Sequence, residues 1–152
     1  MNVNKIIEVH NYLAGLELSK FDKDVRSAVR KNYVATHKVL KDFEETQEIL
    51  RKKCFEGKEE IQQKVQDLRV RFQKATTAEE KMAIEKETQQ EEFVEYFKIE
   101  REFISLIEDE LKKDAPDVEL VKVDEDAWIE NLAKAEIKFS VVDIDKIECM
   151  LC

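Results

Sequence analysis

Residues 21–55 read FDKDVRSAVRKNYVATHKVLKDFEETQEILRKKCF. Apolar and small side chains recur in this segment at alternating steps of three and four, the spacing that buries one side of a helix. The positions are Val25, Val29, Tyr33, Thr36, Leu40, Phe43, Gln47, Leu50 and Cys54. Glycine and proline are absent from the segment, and Gly57 follows it. We therefore predict one helix of roughly 33 residues, about 50 Å long, that stops at Gly57.

The composition favours helices throughout the chain. Of 152 residues, 40% are charged, and only two glycines and one proline are present. Sheet proteins need more turn residues, so we predict an all-α fold: an elongated helical hairpin or bundle with long antiparallel helices. The longest apolar segments fall well short of the ~18 residues of a membrane span, and no apolar signal core is present near the N-terminus. We expect a cytoplasmic protein with free thiols at its three cysteines.

Three further helices are predicted within residues 1–115, which we expect to form a long-helix bundle. Apolar faces place them at residues 4–18, 58–75 and 77–113, and Ser19 or Asp22 is expected to cap the helix of residues 21–55. Thr77 and Glu80 have capping-box spacing and predict the last of these helix starts. An unbroken helix over 58–113 is the alternative. Residues 85–92 contain no apolar side chain, so this part must face water or a polar partner.

The pattern of residues changes after Pro116, from long helical apolar faces to short segments. We therefore predict that residues 116–152 form a small appendage packed on the bundle. Pro116 ends the preceding helix. β-branched residues in 118–123 and in 137–139 indicate a two-stranded ribbon. Asp124 and Ser140 are placed to cap two short helices.

Positive charge is concentrated at the start of the helix predicted over 21–55. Residues 20–41 contain seven Lys and Arg against two Asp, a local charge of +5 in a chain of −9. At about 100° per residue, most of these cations fall in a sector of roughly 60° beside the apolar face. The basic stripe, as we name this set, comprises Lys23, Arg26, Arg30, Tyr33, His37 and Lys41.

Two interpretations of the basic stripe are open. Arginines one turn apart grip a phosphate or a carboxylate, and an aromatic ring stacks on a base, so the stripe predicts a pocket for an anionic, nucleotide-like molecule. In the alternative, its cations pair with acidic residues of a packed helix. Residues 79–110 hold twelve Asp and Glu against four Lys and Arg, so such partners are available.

No catalytic, metal or cofactor site is predicted. His10 and His37 are the only histidines, they have no helical HxxxH or ExxH spacing, and we interpret them as structural or surface residues. Cys149 and Cys152 have CxxC spacing but lack the context of a redox or zinc motif. Glycine-rich phosphate loops and nucleophile elbows are also absent from the sequence, so we expect no enzyme.

Two regions resemble a family of small, functionally uncharacterised tailed-phage proteins. Residues 11–18 (NYLAGLEL) and 26–30 (RSAVR) match its opening helix and long charged helix, and residues 124–132 with the closing helix match its end. The resemblance implies a phage or prophage origin and no assigned activity.

We accordingly expect a non-catalytic phage accessory protein that acts by binding. It would antagonise a host defence system, either by sequestering an anionic small molecule at the basic stripe or by masking a host protein with its acidic helix. The length of the apolar face predicts a homo-oligomer. The negative net charge argues against bulk nucleic acid and membrane surfaces as partners. The alternative function is an oligomeric virion-assembly chaperone or minor structural protein.

Overall fold

A computed structural model of the chain describes residues 1–116 and 118–152. Within these residues the regular structure is helical, which confirms the all-α prediction. The helices are α1 (Val3–Ala14), α2 (Lys23–Phe55), α3 (Glu59–Lys74), α4 (Ala78–Glu87), α5 (Glu91–Lys112), α6 (Glu125–Lys134) and α7 (Val141–Ile147), followed by a 3₁₀ turn at Glu148–Met150. None of the described helices is both long and apolar enough to cross a bilayer.

Helix α2 has the predicted length and end. It runs for 33 residues, and Gly57 adopts a φ of 72°, the left-handed conformation that glycine provides without steric cost. Val25, Val29 and Thr36 of the predicted face are buried. Tyr33 remains 37% exposed, because the buried face also turns through Asn32 and Val39. The residue before α2 is Asp22, whose side chain contacts Asn131 and Lys134 of α6.

Helix α1 is shorter than predicted. It ends at Ala14, and the backbone N–H of Gly15 bonds the carbonyls of Leu13 and Tyr12 in its closing turn. Leu16 and Leu18 lie beyond the helix but still pack on the core, so the apolar pattern over 4–18 reflected burial and not continuous helix.

The segment after Gly57 forms three helices instead of the predicted two. The capping box at Thr77 and Glu80 is present, so the unbroken helix over 58–113 is wrong. The single helix over 77–113 is also wrong, because residues 88–90 form a turn between α4 and α5. At that turn the Thr88 hydroxyl donates to the carbonyl of Glu85 at 2.6 Å, a local bond that competes with helix. Residues 85–92 carry no apolar side chain to hold the helix straight against a core.

The predicted N-caps of the two helices in residues 118–152 are confirmed. The Asp124 side chain accepts from the Ala127 N–H, and Ser140 forms a capping box with Asp143. Residues 118–123 and 137–139 are not strands in the described part of the chain; Val123 instead makes an isolated parallel bridge with Leu151.

Contacts group the chain into two units, residues 1–45 with 110–152, and residues 46–109. The first unit buries a core from both ends of the chain. Its fully buried members include Val9, Val29, Trp128, Ile147 and Met150. The second unit has its own core around Phe55, Val65, Leu68, Ile84, Phe93 and Tyr96. Residues 116–152 therefore share a core with residues 1–45, and the domain boundary at 115/116 stays a prediction.

Candidate anion-binding site

The whole basic stripe lies on α2 within the unit formed by residues 1–45 and 110–152. The start of α2 is attached to α6 through Asp22. The Asp22 N–H donates to Asn131 Oδ1 at 2.5 Å, and the Lys134 ammonium lies 2.6 Å from the Asp22 carboxylate. This bond to Lys134 is the main reason that the pKa of Asp22 is below its ordinary value. These contacts fix where the stripe begins.

Asn32 fixes the rotation of α2 about its axis. Its side chain is fully buried and pairs with the backbone of Val121, donating from Nδ2 to the carbonyl at 2.9 Å and accepting the N–H at 2.7 Å. Since residues three and four apart share a helix face, burial of Asn32 turns Arg30, Tyr33 and His37 away from this core contact. All three are exposed.

A cluster of three rings lies beside the cations, and in it the His10 and His37 ring centroids are 5.3 Å apart at an angle of 33°. The His10 ring, from α1, lies 4.5 Å from the Tyr33 ring centroid at an angle of 28°, and Tyr33 stacks on His37 at 5.9 Å and 12°. We call His10, Tyr33 and His37 the aromatic stack. The sequence predicted Tyr33 and His37 as site residues but not His10, because nothing in the local spacing of α1 indicates what it packs against.

The hydrogen bonds of His10 define its chemical state. Thr36 Oγ1 lies 2.9 Å from the Asn32 carbonyl, to which it donates its hydrogen. His10 Nδ1 lies 3.1 Å from the same oxygen, and a ring with its proton on Nδ1 satisfies this contact as the donor. Burial, and next the nearby His37, lower the pKa of His10 from its ordinary value of 6.5. His10 is thus an uncharged platform at neutral pH, and the positive charge of the site comes from its Lys and Arg.

The two interpretations of the basic stripe differ in the ion partners of its cations. The ion pairs recorded among residues 1–116 and 118–152 include none to Lys23, Arg26, Arg30 or Lys41. Arg26 is half-buried and the other three are exposed. By contrast, Arg69 contacts Glu100 at 2.8 Å and Arg71 contacts Glu87 at 2.9 Å.

The stripe is an open helix face. Four surface grooves in the described part of the chain are lined by other residues. Among the described residues, no group of three or more His, Cys, Asp or Glu is arranged to hold a metal ion. The arrangement offers cations and one ring edge to a ligand that lies along the helix.

Comparisons with protein-family models, with curated proteins and with solved structures found no match. The resemblance to the tailed-phage family therefore stays a prediction.

Proposed function

We propose that this protein acts by binding, without catalysis, and that the basic stripe takes an anionic ligand with a flat ring, such as a nucleotide. The observation that carries the proposal is the set of cations without recorded acidic partners next to the exposed edge of the aromatic stack. Elsewhere in the described part of the chain some cations form ion pairs, for instance Arg71 with Glu87.

Each residue of the basic stripe has a role in this proposal that follows from its position on α2. Arg26 and Arg30 lie one helical turn apart, about 6 Å along the axis, a separation at which both guanidinium groups can contact one phosphate. Lys23 and Lys41 extend the positive surface at either end. Tyr33 and His37 offer an exposed ring edge, against which a base packs edge to face.

In a phage setting, this binding would sequester an anionic small molecule on which a host defence depends. Masking of a host protein by the acidic residues of α4 and α5 is the other form of the same proposal. Both forms place the protein in the cytoplasm of the host cell, and a homo-oligomer remains our expectation for its assembly.

The test is calorimetric titration with AMP, GMP and inorganic phosphate, alongside native mass measurement of protein purified from cells. We expect nucleotide binding to the wild type and its loss in the double variant Arg26→Ala, Arg30→Ala. The matched control is Lys31→Ala with Lys53→Ala, which removes two exposed positive charges from the same helix outside the stripe.

Equal binding by the double variant and the wild type would refute the stripe as the site. Absence of binding to all three probes, together with a native mass free of any small molecule, would refute the ligand class.

The second candidate function is virion assembly. Exposed apolar side chains favour it, chiefly Val141 at 74% and Val142 at 63% at the start of α7. Neighbouring genes distinguish the two functions, because head and tail genes favour assembly whereas early genes favour host interference.

A further inference from the structure

An apolar groove lies within the unit of residues 46–109, and we name it the α3–α5 groove. Its volume is about 370 Å³, inside the range of roughly 300–1,000 Å³ that small-molecule sites occupy. Its apolar walls are formed by five side chains of three helices: Val65, Leu68 and Phe72 of α3, Ile84 of α4 and Phe97 of α5. Val65, Leu68 and Ile84 are buried, whereas Phe72 is 39% exposed. The groove therefore offers apolar surface and an accessible aromatic ring to a ligand.

The polar residues that line the α3–α5 groove leave one charge uncompensated. Arg69 is neutralised, because its guanidinium contacts both carboxylate oxygens of Glu100 at 2.8 Å. The Thr88 hydroxyl donates to a backbone carbonyl. Gln73 and Glu85 also line the groove, and both are exposed, without a side-chain partner recorded among residues 1–116 and 118–152. The uncompensated charge of the lining is thus the negative charge of Glu85.

The Phe72 ring already attracts an ammonium group of this chain. Lys81 Nζ lies 5.7 Å from the ring centroid, within the distance of about 6 Å at which a cation interacts with an aromatic face. Lys81 itself does not line the groove. The accessible ring is a second feature, besides the Glu85 carboxylate, that favours a cationic ligand over an anionic one.

We propose that the α3–α5 groove binds a small apolar amine, a molecule with an aromatic or aliphatic body and one ammonium group. The body lies against the apolar walls, and the ammonium lies at the edge, where the Glu85 carboxylate and the Gln73 amide oxygen accept its hydrogens. A carboxylate of the same shape is disfavoured because it meets the like charge of Glu85. The proposal uses no residue of the basic stripe and does not depend on the anion ligand.

The charge preference of this site is expected to be small. Glu85 is exposed, and an exposed ion pair contributes up to roughly fivefold in affinity. The positive charge of Lys81 opposes the amine, although solvent and salt screen it. Most of the affinity comes from burial of the apolar body, so an amine with about 11 non-hydrogen atoms should bind with a Kd on the order of 1 mM.

The experiment is an NMR titration of the full chain with three probes of similar shape and different charge: phenylbutylamine, phenylbutanol and phenylbutyrate. We expect the amine to bind about two- to fivefold more tightly than the alcohol, and the carboxylate more weakly than both. The amide signals that move should be those of residues lining the α3–α5 groove.

Four variants test the contacts. Glu85→Gln should lower the affinity for the amine to that for the alcohol, while Glu79→Gln is the matched control, since Glu79 is exposed on the same helix and does not line the groove. Lys81→Gln should bind the amine at least as tightly as the wild type, because it removes a repelling charge. Phe72→Ala should weaken all three probes. Circular dichroism of each variant establishes that the helices are intact.

A carboxylate that binds as tightly as the amine would overturn the proposal, and so would an amine preference that survives Glu85→Gln. Loss of amine binding in Lys81→Gln, signal changes confined to residues outside the groove, or no saturable binding of the amine would overturn it as well. Arg26 and Arg30 are intact in all of these variants, so loss of amine binding and loss of nucleotide binding are separate outcomes.

Discussion

At the scale of single residues, Asn32 matters most to the site. The sequence places it on a helix among cations, where an exposed polar side chain is expected, yet it is fully buried against Val121. Its amide accepts a hydrogen bond from the Val121 N–H and donates one to the Val121 carbonyl. A polar residue thereby sets which side of α2 faces the solvent.

Replacing Asn32 by Ala should lower the free energy of unfolding by about 1–3 kcal/mol, because its fully buried side chain loses two hydrogen bonds worth about 0.5–1.5 kcal/mol each. Urea denaturation measures the change. Asn11→Ala, at an exposed position of α1, is the control and should stay within about 0.5 kcal/mol of the wild type. A loss in the Asn32 variant no larger than in the control would contradict this role.

His10 gives a second residue-scale prediction, on pH. Its pKa in the folded protein is below 6.5 because of burial, so the unfolded chain binds the proton more readily. The stability contribution of His10 is complete above pH 6.5 and is lost as pH falls through the folded pKa. His10→Asn should reduce the slope of unfolding free energy against pH in that window. His37→Asn, at an exposed position, is the comparison, and equal slopes in the wild type and His10→Asn would contradict the assignment.

At the scale of elements, the sequence predicted those that rest on local signals. The length of α2 followed from an uninterrupted apolar pattern and Gly57, and three caps followed from Thr77, Asp124 and Ser140. The turn at residues 88–90 was missed because no glycine or proline marks it and polar residues allow helix equally well. The link between His10 and Tyr33 was missed because it joins two helices, and spacing within one helix carries no information on it.

The cap of α4 tests how far a local signal determines an element. The Thr77 side chain accepts from the Glu80 N–H at 3.2 Å, and Glu80 Oε2 accepts the Thr76 and Thr77 N–H groups at 2.9 and 3.2 Å. Thr77→Ala should cost about 1 kcal/mol and speed amide exchange along α4, whereas Thr77→Ser should keep the wild-type rates. Exchange that is unchanged in the Ala variant would mean that burial of Ile84, not the cap, holds α4.

At the scale of the whole molecule, the core of the unit formed by residues 1–45 and 110–152 depends on the chain closing on itself. Trp128 is fully buried, with its ring 5.9 Å from that of Phe21 and 6.4 Å from that of Tyr12. A chain ending at Ala115 lacks this tryptophan and leaves the faces of α1 and of the first part of α2 exposed. We expect it to lose cooperative unfolding of this unit and to bind a hydrophobic dye, and Trp128→Ala in the full chain to cost about 3–5 kcal/mol. If residues 116–152 are instead an appendage on a bundle complete by residue 115, the shortened chain will unfold with the same midpoint as the full one. Thermal unfolding followed by circular dichroism on both chains therefore decides between an integral part of the core and a dispensable addition.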